Sequence, residues 1–304
     1  MIQKLMAESL ALKVAQIERI ISRASHSYYH FTIPKKNGRS RDIYHPSQEL
    51  KVLQRWLVKR LFLSLPLSRA ASAYEEGCSI ARNARQHIGN RFLLRLDFSN
   101  FFPSLTDEDV RGLLIRNASL INGIVAEAAD LDVVSRIVCR FGFLTIGAPS
   151  SPIVSNRIME PFDAFCLATA NVRGVTYTRY ADDLYFSCPE PNVLQEFPPL
   201  VAGQLRSMGS PKLRLNPAKT INASKKGRRV VTGLRLTPDD RVSLGRSFKR
   251  GLRTRLHLAL EGALGAGEIA SLRGQLAFAQ DVEPGLVDRL RTKFGSENIT
   301  RLLH

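Results

Sequence analysis

The sequence is poor in residues that usually declare a chemistry on their own. It has four cysteines, Cys78, Cys139, Cys166 and Cys188, widely spaced and with no CxxC pair. They suggest buried reduced thiols in an intracellular, cytoplasmic protein. Neither HExxH nor GxxxxGK[ST] occurs, which disfavours zincin and P-loop NTPase chemistry. No apolar run is long enough to span a bilayer, and no secretory leader or lipidation signal is recognisable, so no membrane partner is expected. Acidic residues are also scarce: 27 Asp and Glu stand against 44 Lys and Arg, a formal net charge of +17. A folded chain this basic meets a polyanion, and nucleic acid is the leading candidate. The remaining composition is ordinary. With 304 residues and 44% hydrophobic residues, the chain can bury a substantial core in about two domains.

The few acids that are present fall in a telling place. Tyr180-Ala181-Asp182-Asp183 lies between Val175–Arg179 and Leu184–Cys188, flanks rich in β-branched and aromatic residues. Those flanks read as strands joined by a tight hairpin. Asp is common in turns, which gives one reading of the pair. The other is a site, because like charges held together are costly unless a cation neutralises them. A further carboxylate is available at the end of the strand 91–98. There Phe92, Leu94, Leu96 and Phe98 share one face, and Arg95 and Asp97 the other. Two divalent cations roughly 3.5–4 Å apart can activate a hydroxyl and stabilise a leaving phosphate, and they need such hard oxygen donors. Convergence of Asp97 with Asp182 and Asp183 requires that their strands be neighbours in one sheet.

Elsewhere the pattern is mixed. Residues 1–24 read as one amphipathic helix with Leu10, Val14, Ile17 and Ile21 on a face. Asn37-Gly38 between extended runs predicts a hairpin over 31–43, whose tip carries Lys35, Lys36, Arg39 and Arg41. That tip is either a solvated turn or a grip on a triphosphate or nucleic-acid backbone. Leu50, Leu53, Leu57 and Leu61 mark a helix with Lys51, Arg55, Lys59 and Arg60 on its surface. Residues 79–88 are helical, and His87 by itself reads as an internal structural histidine. Thr106 caps a helix whose Asp107, Glu108 and Asp109 suit its dipole. Helices are expected over about 124–140, 152–169 and up to Met208. The small, rigid loop 146–152 suits either close approach of a ligand or a plain interhelical turn. Lys225–Arg229 is a basic turn, Arg229–Leu236 a strand, and everything from Gly245 a helical end domain. On its first helix Arg246, Arg250, Arg253 and His257 form a stripe that either tracks phosphates or is simply solvated.

Taken in order, these pieces resemble a reverse transcriptase of the bacterial retron type over nearly the whole chain. Tyr180–Asp183 matches the YxDD box, Asp97–Phe102 the first palm motif and Gly147–Asn156 the GxPxSPxxSN motif. Asn83-Ala84-Arg85-Gln86-His87 fits the retron NAxxH element and Val231-Thr232-Gly233 the VTG element. The resemblance implies an α/β (α+β) right-hand polymerase: fingers and N-terminal helix over 1–90, a mixed-sheet palm over 91–240 and a helical thumb over 241–304. It implies that Asp97 and Asp182, supported by Asp183 and the Phe98 backbone carbonyl, hold two Mg²⁺ ions, with Mn²⁺ as a substitute. Lys219 takes the place of a proton donor to pyrophosphate. Lys35, Arg41, Phe102, Ala148 and Pro149 would meet the incoming dNTP, with Phe102 as the gate against a ribose 2′-hydroxyl. Asn83, His87, Lys225, Lys226, Arg228, Arg229, Val231, Thr232, Gly233, Arg246, Arg250 and Arg253 would meet RNA.

The implied partners are a structured non-coding RNA, its cDNA and an effector protein. The implied reaction copies that RNA from a guanosine 2′-hydroxyl into branched RNA–DNA, in anti-phage defence. A stand-alone intron-like or abortive-infection reverse transcriptase, or an inactive RNA-binding scaffold, is the alternative. One departure stands out: Ile146 occupies a position where many relatives have Gln, so the contact with the nucleotide sugar must differ.

Overall fold

The computed structural model describes residues 1–34, 38 and 40–303. The expected first helix is two, α1 (Ile2–Leu10) and α2 (Val14–Ser22), because the chain turns left-handed at Ala11 (φ 53°). Each buries its own apolar side: Ile2 and Met6 from the first, Ile17, Ile20 and Ile21 from the second. The strands β1 (Tyr28–Pro34) and β2 (Ser40–Pro46) pair antiparallel, as Asn37-Gly38 predicts. The tip residues Lys35, Lys36 and Arg39 lie outside the described residues. Ser47 caps α3 (Gln48–Arg60) by accepting the Leu50 N–H, and Leu50, Leu53 and Leu57 turn inward together. Lys51 does not stay on the surface as expected. It is buried and its ammonium bonds His45 Nε2.

After the short α4 (Ile80–Arg85), β3 (Phe92–Asp97) opens the central sheet. Helices α5 (Asp107–Arg116), α6 (Ala118–Ile121) and α7 (Ala128–Val138) follow. The expected helix 152–169 is again two, α8 (Ser151–Ile158) and α9 (Glu160–Val172). Pro161 in the first turn of α9 has no N–H to continue the preceding helix. Then come β4 (Thr176–Tyr180), β5 (Asp183–Cys188), α10 (Phe197–Ser207) and β6 (Ile221–Ser224). The sheet order is β4-β5-β3-β6, antiparallel throughout. Alternation sends Leu94, Leu96, Leu184 and Phe186 to one face, where they join Phe162 of α9 and Phe197 of α10. The same core includes Ile2, Met6, Leu50 and Leu57, so packing is continuous across residue 90.

The expected strand 229–236 is a hairpin. β7 (Arg229–Val231) and β8 (Leu234–Leu236) pair through a two-residue turn, and β9 (Val242–Ser243) extends the sheet. Thr232 (φ 48°) and Gly233 (φ 83°) both sit left-handed, as a type I′ turn requires. The chain ends in α11 (Gly245–Leu260), α12 (Ala266–Val282), α13 (Pro284–Phe294) and α14 (Ser296–Leu303). These helices close over their own core of Leu252, Leu256, Leu272, Leu276, Leu286 and Leu290. Antiparallel sheets with helices packed beside them make the fold α+β, as expected.

Candidate active site

The register of the central sheet brings the acids together. β3 pairs with β5 so that Asp97 stands opposite Asp183. β4 and β5 close on the pair Tyr180–Asp183 across a two-residue turn, with Ala181 left-handed (φ 57°) and Asp182 at the tip. The Asp182 carbonyl accepts the Phe98 N–H at 3.1 Å, tying this turn to the end of β3. A returning segment is tied to the same end. Ser99 N–H donates to Arg214 O at 2.9 Å and Asn216 N–H to Asp97 O at 2.8 Å. The helical turn Pro217–Lys219 then delivers Lys219 Nζ to both carboxylate oxygens of Asp97, at 2.8 and 2.9 Å.

Negative charge is crowded here. Burial, followed by the charge of Asp97, pushes the Asp182 carboxyl above its usual range. Asp183 is pushed up to about 6, chiefly by burial, although the Arg95 guanidinium opposes the shift. Both oxygens of Asp183 are held. Arg95 donates to Oδ1 from Nε at 3.0 Å and Nη2 at 2.7 Å, and the Tyr185 hydroxyl donates to Oδ2 at 3.1 Å. Asp182 has no ion pair among the described residues. Among those residues, no three acidic, histidine or cysteine side chains form a ready-made metal cage. The donor chemistry nevertheless fits a hard divalent cation: crowded carboxylates, one of them unpaired, offering only oxygen.

A cavity of about 890 Å³ opens in front of these carboxylates, lined by Arg41, Tyr74, Phe102, Ile146, Asp182 and Lys219 among others. Phe98 also lines it, and Phe102 packs edge-on against Phe101. The Ile146 carbonyl accepts the Tyr44 N–H at 2.8 Å, which brings the loop against β2. Gly147 (φ 112°) permits that approach, since a Cβ there would lie 2.7 Å from the Tyr44 carbonyl oxygen. Ala148 and Pro149 do not line the cavity, and Ala148 is buried. Ala148 is therefore corrected to a supporting role in the loop, while Pro149 is half-buried beside it. Tyr74 was not legible in any motif. It is left-handed (φ 68°) and 43% exposed, and burial together with the Asp182 charge raises its phenol pKa. Arg95 shares the face of Asp97, as the strand period predicts, but its pairing with Asp183 has no sequence signal, and Tyr185, on the face of Asp183, belongs to no site motif.

The residues expected to meet RNA divide sharply. Lys226, Arg228, Gly233, Arg246, Arg250 and Arg253 are exposed, and Lys225 is half-buried in an ion pair with Asp240. Four others belong to the interior, and direct RNA contact is corrected for them. Asn83 and Val231 are fully buried. His87 bonds Ser187 Oγ at 2.7 Å and Thr178 Oγ1 at 2.8 Å, and burial lowers its pKa to about 3, so it is neutral. Arg229 spends its guanidinium on the carbonyls of Asn90, Ile88 and Thr237. Thr232 is half-buried, with its hydroxyl donating to Ile80 O at 2.9 Å.

An antiparallel sheet with carboxylates at adjoining strand ends, a basic-rimmed cavity before them and a helical bundle beyond is the plan of a right-hand nucleic-acid polymerase. Residues 33–236 match the family described as reverse transcriptase (RNA-dependent DNA polymerase). The chain is 32% identical to the Retron Ec83 reverse transcriptase of Escherichia coli over 91% of this chain and 90% of that one. It is 31% identical to the Retron Ec86 reverse transcriptase of Escherichia coli over 97% and 91%. A Candida tropicalis telomerase structure shares the fold with a TM-score of 0.50 and 11% identity, over 93% of this chain and 57% of that one. The chain thus belongs to the reverse transcriptases, of the retron type, and is an RNA-directed DNA polymerase.

Proposed function

We propose that this polymerase copies part of a structured retron RNA into cDNA at the cavity before Asp97 and Asp182, starting from a guanosine 2′-hydroxyl to give branched RNA–DNA. The retron kinship supports the choice of RNA and primer, and the same proposal includes an effector protein and a role in anti-phage defence. The observation that carries the site is the pairing of Asp97 with Asp183 and the tie from Phe98 to Asp182, which bring the three acidic residues to adjoining strand ends, with Asp182 lining the cavity. Asp97 and Asp182 would hold two Mg²⁺ ions, with the Phe98 carbonyl and Asp183 beside them, to activate the attacking hydroxyl and neutralise the leaving pyrophosphate.

The chain's own groups do the rest. Arg41 and Lys219 bring positive charge to the triphosphate, and Lys219 carries the proton destined for pyrophosphate. Phe102 closes the cavity floor beneath the nucleotide sugar, where a 2′-hydroxyl would need room. Ile146 offers an apolar wall where a hydrogen-bonding side chain would grip the sugar, so nucleotide selection falls more heavily on shape. Lys35 belongs to the same proposal and lies outside the described residues. Exposed Lys226, Arg228, Arg246, Arg250 and Arg253 supply phosphate contacts, while template choice rests on RNA shape and unpaired bases.

Asp182→Asn tests the site. It removes one negative oxygen without changing shape, and Mg²⁺-dependent primer extension should fall at least about a thousandfold in kcat. Near wild-type extension by the folded variant would refute the assignment. Sequencing the nucleic acid that co-purifies with the wild-type chain, with a search for a 2′–5′ branch, tests the choice of RNA.

A further inference from the structure

The turn between β7 and β8 lies behind the catalytic hairpin and is wired to it. Thr232 N–H donates to the Tyr185 hydroxyl at 3.0 Å, and that hydroxyl donates its single proton to Asp183 Oδ2 at 3.1 Å. The direction is fixed by chemistry. A phenol has one proton, and the carboxylate can only accept it, so the backbone N–H must use the phenol's lone pair. Tyr185 is 1% exposed, which leaves no water to replace either partner.

The Thr232 backbone needs help to stand where it does. A β-branched residue at φ 48° is strained, and such strain persists only where the surroundings hold it. The bond from Thr232 Oγ1 to Ile80 O, at the start of α4, is that hold. Val231 beside it is fully buried and packs with Ala81, Ala84, Leu93 and Tyr185. From Ile80 to Asp183 there is thus an unbroken line of hydrogen bonds, ending on the carboxylate whose other oxygen belongs to Arg95.

We infer that Thr232 and Tyr185 are positioning residues for catalysis: the β7–β8 turn fixes the Tyr185 hydroxyl, and Tyr185 fixes the orientation of Asp183 beside Asp97 and Asp182. This rests on the proposed catalytic role of those carboxylates. It gives the Val231-Thr232-Gly233 segment a task in every round of synthesis, whatever the RNA. Placing a reacting group wrongly by a fraction of its length is expensive, so the effect should appear in kcat.

The experiment uses the full chain and a generic primer annealed to an RNA template, so that recognition of a particular RNA plays no part. Tyr185→Phe removes the hydroxyl and keeps the ring. Thr232→Val removes the Oγ1 bond and keeps the shape. Each should lower kcat about tenfold with KM for the dNTP unchanged within about twofold. The double variant should be no worse than either single, because both break one line. Thr232→Ser, which keeps the hydroxyl, should recover most of the loss. Calorimetric Mn²⁺ binding gives a readout apart from activity, and both Tyr185→Phe and Thr232→Val should weaken it. Wild-type kcat and Mn²⁺ affinity in both variants would overturn the inference, as would additive losses in the double variant. Asp182→Asn is the control. If it is inactive while Tyr185→Phe is fully active, the positioning role fails and the site stands. If Asp182→Asn is fully active, the site itself fails and the inference with it.

Discussion

On the cavity side of the β4–β5 hairpin, Asp182 has no ion pair among the described residues, and Lys219 is 52% exposed while it bridges Asp97. Behind the same hairpin, Asp163 and Arg179 are both 0% exposed and joined by three nitrogen–oxygen contacts of 2.7 to 3.1 Å. Tyr177 adds its hydroxyl to Asp163, and Arg179 also reaches Asn156 Oδ1 and Ala181 O. The two sides lie within a few residues of each other and treat charge in opposite ways. The rear satisfies every charge internally and so fixes the backbone of the turn. The front leaves charge that only a cation, a triphosphate or a nucleic acid can complete.

The largest effect should come from breaking the rear. Asp163→Ala leaves the Arg179 guanidinium buried without its counter-charge, a cost of about 3–5 kcal/mol. The urea midpoint should fall accordingly, and primer extension should fall with it because Ala181 O loses a fixed donor. An unchanged midpoint would mean that the rear pair does not hold the hairpin, and the contrast between the sides would collapse.

The opposite face of the sheet, where His87 bonds Thr178 and Ser187, carries a proton signature. His87 is neutral in the fold, its pKa lowered from 6.5 to about 3 by burial. The folded chain therefore refuses a proton that the unfolded chain accepts below 6.5. Stability is complete above that value and is lost as the pH falls from 6.5 towards 3, at up to about 1.4 kcal/mol per pH unit. Unfolding free energies of wild type and His87→Gln at pH 7.5 and 5.5 check this. The wild type should lose more than the variant, because the variant has no imidazole to protonate. Asp183 shifts in the opposite sense, and the difference between the two proteins cancels its contribution.

How much of this was legible depends on what each residue needed. The acidic hairpin and Asp97 could be found because strand periodicity and a tight turn are local properties. Their register followed once the strands were neighbours. The break at Ala11 was hidden, since alanine is the best helix former and gives no sign of a stop. The β7–β8 turn was hidden by Thr232, whose branched side chain belongs to strands, although Gly233 was a signal. The burial of His87 and Arg229 depended on partners such as Ser187, Thr178 and Asn90, which only the folded chain supplies. A polar residue in a recognised motif looks the same in sequence whether it faces nucleic acid or another strand.

A smaller effect should separate floor from charge at the front. Phe102 lines the cavity while packing on Phe101, so it can serve both as wall and as core aromatic. Phe102→Ala should lower the preference for a deoxynucleotide over its ribonucleotide by about tenfold or more, read as a ratio of kcat/KM values. A constant ratio with lower stability would assign Phe102 to the rear's kind of work.

The smallest effect belongs to the exposed face of α11. Arg246, Arg250 and Arg253 stand exposed on α11, while Leu252 and Leu256 turn into the core of the helical end. None of the three has an ion pair among the described residues, so each is free to meet a phosphate. A phosphate contact from such an arginine displaces counterions and gives affinity without sequence information. Arg250→Ala should therefore weaken binding of any primer–template duplex by a similar, modest factor. It should also reduce the slope of log affinity against log salt by about one. The Asp163–Arg179 pair at the rear should show no such salt dependence, because its charges meet no counterion in either state. If Arg250→Ala leaves the slope unchanged, α11 does not follow the backbone, and the front of the molecule that receives nucleic acid ends at the sheet.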